Sequence, residues 1–305
     1  MVHYKTISEW FEAFQLPKPE HPLISVVKTD VASMMRSGDT LTCFCDFYCI
    51  AIKRVTGAGD IKLKYGQQSY DFNEGIMSFV SPGQVTSLSV EKDIEVKQSG
   101  WHLIIHPDFL WNTSLASTIK RYEFWDYAAN ESLFLSGTEE EIIINIIQNI
   151  HRETHANIDK FSKQIIISQL ESLLNYAERF YNRQFITREK TNHKILDRLE
   201  KALNSYLSSG QPAIKGLPAV NDIAAMLHIT PKYLSSLLRI HTGQNTQHYI
   251  HEKLIERAKE RIATTDLSMS EIAYELGFEH LQSFSRLFKA KTLLSPMAFR
   301  QSFKN

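Results

Sequence analysis

The chain has 305 residues, 43% of them hydrophobic, which is enough to bury two or three packed cores. Its 34 basic and 34 acidic side chains cancel, so bulk charge alone does not make it a binder of polyanions; from Lys194 onward, however, 15 Lys and Arg face 10 Asp and Glu. The opening MVHYKTISEWFEAF has acids and no apolar core, and no run nears the roughly 18 apolar residues of a membrane span, so neither a leader nor an anchor is expected and the expected location is cytoplasmic.

Residues 1–138 read as β structure. LTCFCDFYCIAIKRV (41–55), DIKLKYGQQSYDF (60–72), GIMSFVSPG (75–83) and VKQSGWHLIIH (96–106) are short, β-branched and aromatic. Turns are expected at Gly57, Gly59, Gly66, Gly75 and Gly83, giving an antiparallel barrel or sandwich. Cys43, Cys45 and Cys49 are the only cysteines, and period-two spacing puts them on one face of one expected strand. Three thiols on a single strand face build no disulfide framework, and small buried apolar side chains are the expected role. No nucleophile–base pair recommends a catalytic residue.

Residues 139–183 turn helical. EEEIIINIIQNIHRE and FSKQIIISQLESLLNYAERFYN carry Ile and Leu at three- and four-residue spacings. The stripe through Phe161, Ile165, Ile166, Leu170, Leu173, Leu174, Ala177 and Phe180 is wide enough to cover the barrel and also face a partner. RQFITREKTNH is polar and aperiodic, so 184–193 reads as a linker before a last domain over 194–305.

That domain says nearly the same thing twice. NDIAAMLHITPKYLSSLLRIHTG (Asn221–Gly243) and SEIAYELGFEHLQSFSRLFKAKT (Ser270–Thr292) each spell a short helix, a turn and a second helix. Ile223, Ala224 and Leu227 recur 49 residues on as Ile272, Ala273 and Leu276. Leu234, Leu237 and Leu238 recur 50 residues on as Phe284, Leu287 and Phe288, so one residue is inserted between the helices. Thr230 should N-cap the first copy's second helix with Pro231 at N1, and Gly243 should end it. Its outer face holds Lys232, Ser235, Ser236 and Arg239; in the second copy Leu281 joins the inner face and the outer one holds Gln282, Ser285, Arg286 and Lys289. These outer residues are donors without an acid among them, suited to base edges and phosphates in a major groove, although a polar helix face can also be merely solvated. Between the copies, residues 249–265 read as one long helix, a strut between two recognition helices.

Residues 194–301 resemble the DNA-binding domain of the AraC/XylS family of transcription regulators. The resemblance is carried by IAxxL…YLSSLLRIHTG, by Ala258-Lys259 on the long helix, by Gly216–Pro218, and by SEIAYELGF…FSRLFK…SP…FR ending at Ser295, Pro296 and Arg300. Leu254, Thr246 and Leu293 depart from the family's usual Arg, Pro and Gly; Leu at a left-handed position would cost about 1–2 kcal/mol, so that helix is expected to end differently. The resemblance implies promoter DNA as partner, contact with RNA polymerase, and an N-terminal jelly-roll (cupin-like) effector domain, carried here by Asp46–Tyr48, Tyr70–Pro82 and Ser81–Val85.

The expected fold class is therefore α+β: a β barrel with a helical pair, then an all-α double helix-turn-helix domain. Where metal-binding members of that barrel fold place His, this chain has Cys45 and Thr86, so no metal or other cofactor is expected. Tyr48, Phe79, Trp101 and His102 either line a small-molecule effector site or simply fill the barrel. In the family the second helix of the pair commonly forms a homodimer interface, here Ile166, Leu170, Leu173, Leu174 and Ala177; the competing reading is packing within one chain. The rival to a ligand-controlled regulator is a cupin-like ligand-binding or isomerase-type enzyme whose helical half mediates protein contacts.

Overall fold

In the computed structural model the described residues are 1–30, 40–56, 64–65, 68–69, 75–89, 97–128, 131–156 and 159–302. They form two compact units, Met1–Gln184 and Phe185–Asn305. The first is a mixed β and α unit and the second is wholly helical, so the α+β class holds.

The first unit begins with β1 (Val2–Tyr4) and α1 (Ile7–Ala13), whose Thr6 and Glu9 form a reciprocal capping box. The strands β2 (Ile24–Asp30), β3 (Thr40–Cys45), β4 (Tyr48–Thr56), β5 (Lys64–Tyr65), β6 (Gln68–Ser69), β7 (Gly75–Val80), β8 (Thr86–Ser89), β9 (Lys97–Ile105) and β10 (Leu133–Leu135) follow. They make a three-stranded sheet, β1-β3-β8, a five-stranded sheet, β10-β7-β4-β9-β2, and a β5-β6 ribbon. Of the strand expected over 60–72 only β5 and β6 belong to the described residues; Gly57, Gly59 and Gly66 lie outside them.

The single strand expected over 41–55 is two strands in different sheets. At Asp46 and Phe47 the chain turns a corner: the Asp46 N–H donates to Tyr4 O at 3.0 Å and the Phe47 ring is buried. Cys43 and Cys45 therefore sit on β3 and Cys49 on β4. They nevertheless meet one core, built of Tyr4, Ile7, Trp10, Phe11, Cys43, Cys45, Phe47 and Ile104 with Cys49 and Val27 beside it. That core joins the small sheet and α1 to one face of the large sheet.

The other face of the large sheet presents Ile50, Ile52, Met77, Leu103 and Ile105, all buried. Over it lies α3 (Gly137–His155), started by a Ser136–Glu139 capping box and packed across β2, β9 and β10. The helix α4 (Ser162–Thr187) is tied to β10: Phe134 N–H donates to Gln184 Oε1 at 2.8 Å, and Gln184 Nε2 donates to Ser132 O at 3.2 Å. Gln184 thus satisfies an edge strand as another strand would. Arg183 adds two bonds to Glu139 and one to Phe134 O. Among the described residues between β9 and β10 are a short helix, α2 (Leu115–Thr118), and the 3-10 turns Pro107–Leu110, Ile119–Arg121 and Glu123–Asp126.

The second unit contains α5 (Glu189–Ser208), α6 (Gln211–Lys215), α7 (Val220–Leu227), α8 (Pro231–Thr242), α9 (Thr246–Thr264), α10 (Met269–Glu275), α11 (Leu281–Thr292) and α12 (Pro296–Gln301). The stretch 184–193, expected to be a linker, is helical on both sides of Arg188. Phe185 is buried against Tyr233, with ring centroids 4.9 Å apart, and its carbonyl accepts from the Asn192 amide and from His241 Nε2. One aromatic ring and two bonds to a main-chain oxygen order the segment, and none of these leaves a hydropathy period.

Candidate nucleic-acid interface

The duplication seen in sequence is a duplication of hydrogen bonds. In the first copy Ile229 N–H donates back to Ala224 O at 3.1 Å; in the second Phe278 N–H donates to Ala273 O at 2.9 Å. Both bonds close the C-terminus of the first helix in the manner of a Schellman motif. Each closure passes through a left-handed residue, His228 at φ 57° and Gly277 at φ 88°, 49 positions apart. The inserted residue falls after this closure and before α8 or α11.

The second helices begin and end as their residues dictate. Thr230 Oγ1 accepts from Tyr233 N–H, Pro231 is the first residue of α8, and Gly243 ends it at φ 72°. Leu234, Leu237 and Leu238 are wholly buried in α8, as are Phe284 and Phe288 in α11. The strut between the copies is α9, whose 19 residues span about 28 Å. Leu254, unusual by the resemblance, is buried on it beside Ile250, Ile255, Ala258 and Ile262, so it is part of the core.

One helix-end expectation changes. Leu293 does close α11 in the left-handed region, at φ 65°, and is 85% exposed. The Lys289 O···H–N Leu293 bond of 2.9 Å holds it there against the steric cost. Leu293→Gly should therefore stabilise the protein by about 1 kcal/mol, because it removes that strain, loses little burial, and gives back part of the gain as unfolded-chain entropy. Urea midpoints of the two proteins measure it, and an unchanged or lower midpoint contradicts the strain argument.

The outer face is mostly as read, with one correction. Lys232 and Arg239 on α8 and Gln282, Arg286 and Lys289 on α11 are exposed, and Ser235 and Ser285 are half-buried. Ser236 is only 3% exposed and does not belong to that face. It lies one turn beyond Tyr233, which the Phe185 ring covers, so the buried arc of α8 is wider than its leucines indicate. Leu281, expected inside, is 38% exposed. Among the described residues, Lys232, Gln282, Arg286 and Lys289 make no hydrogen bond or ion pair within the chain. Other arginines of the unit are committed: Arg198 to Leu227 O, Arg257 to Glu260, Arg261 in a two-point bond to Glu275, Arg300 to Ile262 O. Lys253 is held by Glu200 and Glu256, and its ammonium pKa is raised by the bond to Glu256. Lys232 on α8 and Gln282, Arg286 and Lys289 on α11 thus present exposed donors, whereas four other arginines of the unit are held by partners.

Tyr48, Phe79, Trp101 and His102 do not share a cavity. Strand register puts Tyr48, Phe79 and Trp101 on one face of the large sheet and His102 on the other. His102 packs near Trp10 in the inter-sheet core, where burial pushes its pKa down to about 3 and keeps it neutral. Trp101 meets His151 and Lys28, whereas Phe79 packs on Phe124 and Trp125. Tyr48 lines a cleft of about 450 Å³ with Ser81, Pro82, Pro107, Lys120, Trp125 and Asp126. At the two positions where a metal-binding barrel would have His, Thr86 Oγ1 is bonded to Cys43 O, and Cys45 lies in the inter-sheet core. No three His, Cys, Asp or Glu side chains converge among the described residues.

The expected dimer residues are also corrected. Ile166, Leu170, Leu173, Leu174 and Ala177 are all buried inside their own chain. The stripe on α4 is used intramolecularly, and the apolar side chains left exposed nearby are Trp111, Phe161 and Ile165. Lys163 Nζ bonds Trp111 O at 2.9 Å, which brings these into one neighbourhood.

The two helix pairs, their shared closures and their donor-bearing second helices define a double helix-turn-helix. Residues 223–302 match the family model described as a helix-turn-helix domain. The second unit carries an AraC-type DNA-binding domain. Among curated relatives, the chain is 30% identical over 148 residues to the uncharacterized HTH-type transcriptional regulator YfiF of Bacillus subtilis (strain 168), covering 48% of this chain and 44% of that protein. It is also 30% identical over 83 residues to YobQ of the same organism, covering 27% and 34%. The chain thus spans less than half the length of these relatives. Among solved structures, the C-terminal domain of the response regulator yesN from Fusobacterium nucleatum is 27% identical, with 36% of this chain and 98% of that one covered at a TM-score of 0.30. ToxT from Vibrio cholerae O395 is 14% identical, with 92% and 98% covered at a TM-score of 0.32. Among the described residues no helix is long and apolar enough to cross a membrane.

Proposed function

We propose that the chain is a sequence-specific transcription regulator, in which Lys232, Ser235, Arg239, Gln282, Ser285, Arg286 and Lys289 contact promoter DNA. One observation carries this: a twice-built helix pair whose second helices expose donors on matching faces, Lys232 and Arg239 on α8 and Gln282, Arg286 and Lys289 on α11. Donors in pairs suit guanine and adenine edges, and lysines suit phosphates. The names of the curated relatives agree with this reading. The chain acts in the cytoplasm and is not an enzyme. Gel retardation with fragments upstream of its own and neighbouring genes tests it. Selective binding that weakens as salt rises is expected; indifference to sequence and salt favours a ligand-binding enzyme instead.

Residues 1–138 are the effector-sensing, jelly-roll-like part in this reading, and the Tyr48–Trp125 cleft is where a small molecule acts. The protein works as a homodimer through the exposed Trp111, Phe161 and Ile165, with RNA polymerase as a further contact. A fragment starting at Phe185 should then bind the same operator at least tenfold more weakly than the full chain, since joining two readers raises effective concentration. Fragment and full chain titrated side by side decide it; equal affinities remove the dimer.

A further inference from the structure

We propose that Leu281 reads the 5-methyl group of a thymine in the groove that α11 enters. This rests on the DNA-binding reading above and adds a specificity contact to it. Periodicity groups Leu281 with Phe284 and Phe288, yet those two are wholly buried while Leu281 is 38% exposed. It is the first residue of α11, and residues at the N-terminal end of a groove-entering helix are the ones that reach base edges. Ser285 lies one turn further along the same side, and Gln282, the next residue, heads the exposed row that continues through Arg286 and Lys289. The isobutyl group thus stands on the rim of a donor-bearing face, not within the core.

The chemistry of the groove leaves one match for it. Apart from the small C5–H of cytosine, every base-edge feature of the major groove is a hydrogen-bond donor or acceptor except the thymine C5-methyl, the one apolar group that projects into the groove, and apolar side chains are found against that methyl. Leu281 laid over a polar edge would strip its water and return no hydrogen bond, at a cost. Laid over a methyl it buries apolar surface on both partners. The N-cap residue, His280, makes no side-chain bond to the first turn, whereas Thr230, Asn245, Ser268 and Ser295 each cap their helices, so no capping side chain shields the start of α11.

The test uses a duplex recovered from a random-sequence pool by repeated selection with the full chain. The half-site read by α11 is the one in which Arg286→Ala changes base preference. Each thymine there is replaced in turn by uracil, which removes only the methyl group, and affinity is measured at fixed salt. At one position the wild-type chain should lose about fourfold, the value of one buried methyl group. Leu281→Ala should bind the thymine and uracil duplexes equally, while Gln282→Ala keeps the wild-type ratio. If no thymine shows a methyl effect, or if Leu281→Ala retains it, the proposal is overturned. A pool that yields no selected duplex overturns the DNA-binding reading itself and this inference with it, and that outcome is distinct because it precedes any uracil measurement.

Discussion

Gly277→Ala should destabilise the C-terminal unit by about 3 kcal/mol or more, lowering its melting temperature by roughly 10 °C. Two costs add. Gly277 sits at φ 88°, where a Cβ costs about 1–2 kcal/mol. That Cβ would also lie 2.6 Å from the carbonyl carbon and 2.7 Å from the oxygen of Gly216, and 3.0 Å from Leu217 N, all of them main-chain atoms. Gly216 is not free to retreat, because its N–H is bonded to Pro212 O and its carbonyl accepts from the Tyr206 hydroxyl. His228 supplies the control. It holds the matching position of the first copy at φ 57° with a full side chain, so the conformation by itself is tolerable. His228→Ala should change stability by less than half as much. Thermal melts of both variants separate strain from collision, and equal losses would show that the contact with Gly216 contributes nothing.

Arg286→Ala should leave the melting temperature unchanged and remove about 1–3 kcal/mol of specific DNA binding, relaxing the preference at one base position. The side chain is exposed on the face of α11 opposite Phe284 and Phe288, so truncation leaves no cavity. A guanidinium forked onto a guanine gives that result. A guanidinium on phosphate alone gives an even loss across sequences and lowers the slope of affinity against salt by about one unit. Arg239→Ala should act in the same way about one helical turn away on the operator. Salt-titrated affinities with a base-substitution scan distinguish these outcomes, and wild-type binding by both variants would refute the groove-facing assignment.

Much of the C-terminal unit was legible because its signals are local. The 49- and 50-residue offsets, Pro231 after Thr230 and Gly243 at the helix end are chain-neighbour facts, and the structure reproduces each one. What was not legible depends on contacts distant in sequence. Ser236 has the right spacing for the outer face yet is buried, one turn from Tyr233, which packs on the distant Phe185. The corner at Asp46–Phe47 is held by a bond to Tyr4 O, so an apolar run interrupted only by Asp46 concealed two strands. The helix α4 has the breadth of an interface, but hydropathy does not say whether a stripe is consumed by its own chain. The scattering of Tyr48, Trp101 and His102 follows from pairing register and from which helix lies on which face, neither of which alternation encodes.

The Schellman-type bonds at Ala224 and Ala273 have an evolutionary consequence. A tandem copy that has drifted to Leu-rich packing in one half and Phe-rich packing in the other still keeps the same bond at the end of each first helix. The added residue was accepted just beyond it, in the segment leading to α11. Each recognition helix is therefore a cassette hung from a fixed hinge point, and its outer residues can be exchanged without disturbing the other copy. On the DNA-binding reading proposed above, a protein built this way would change half of its operator at a time, through intermediates that stay folded.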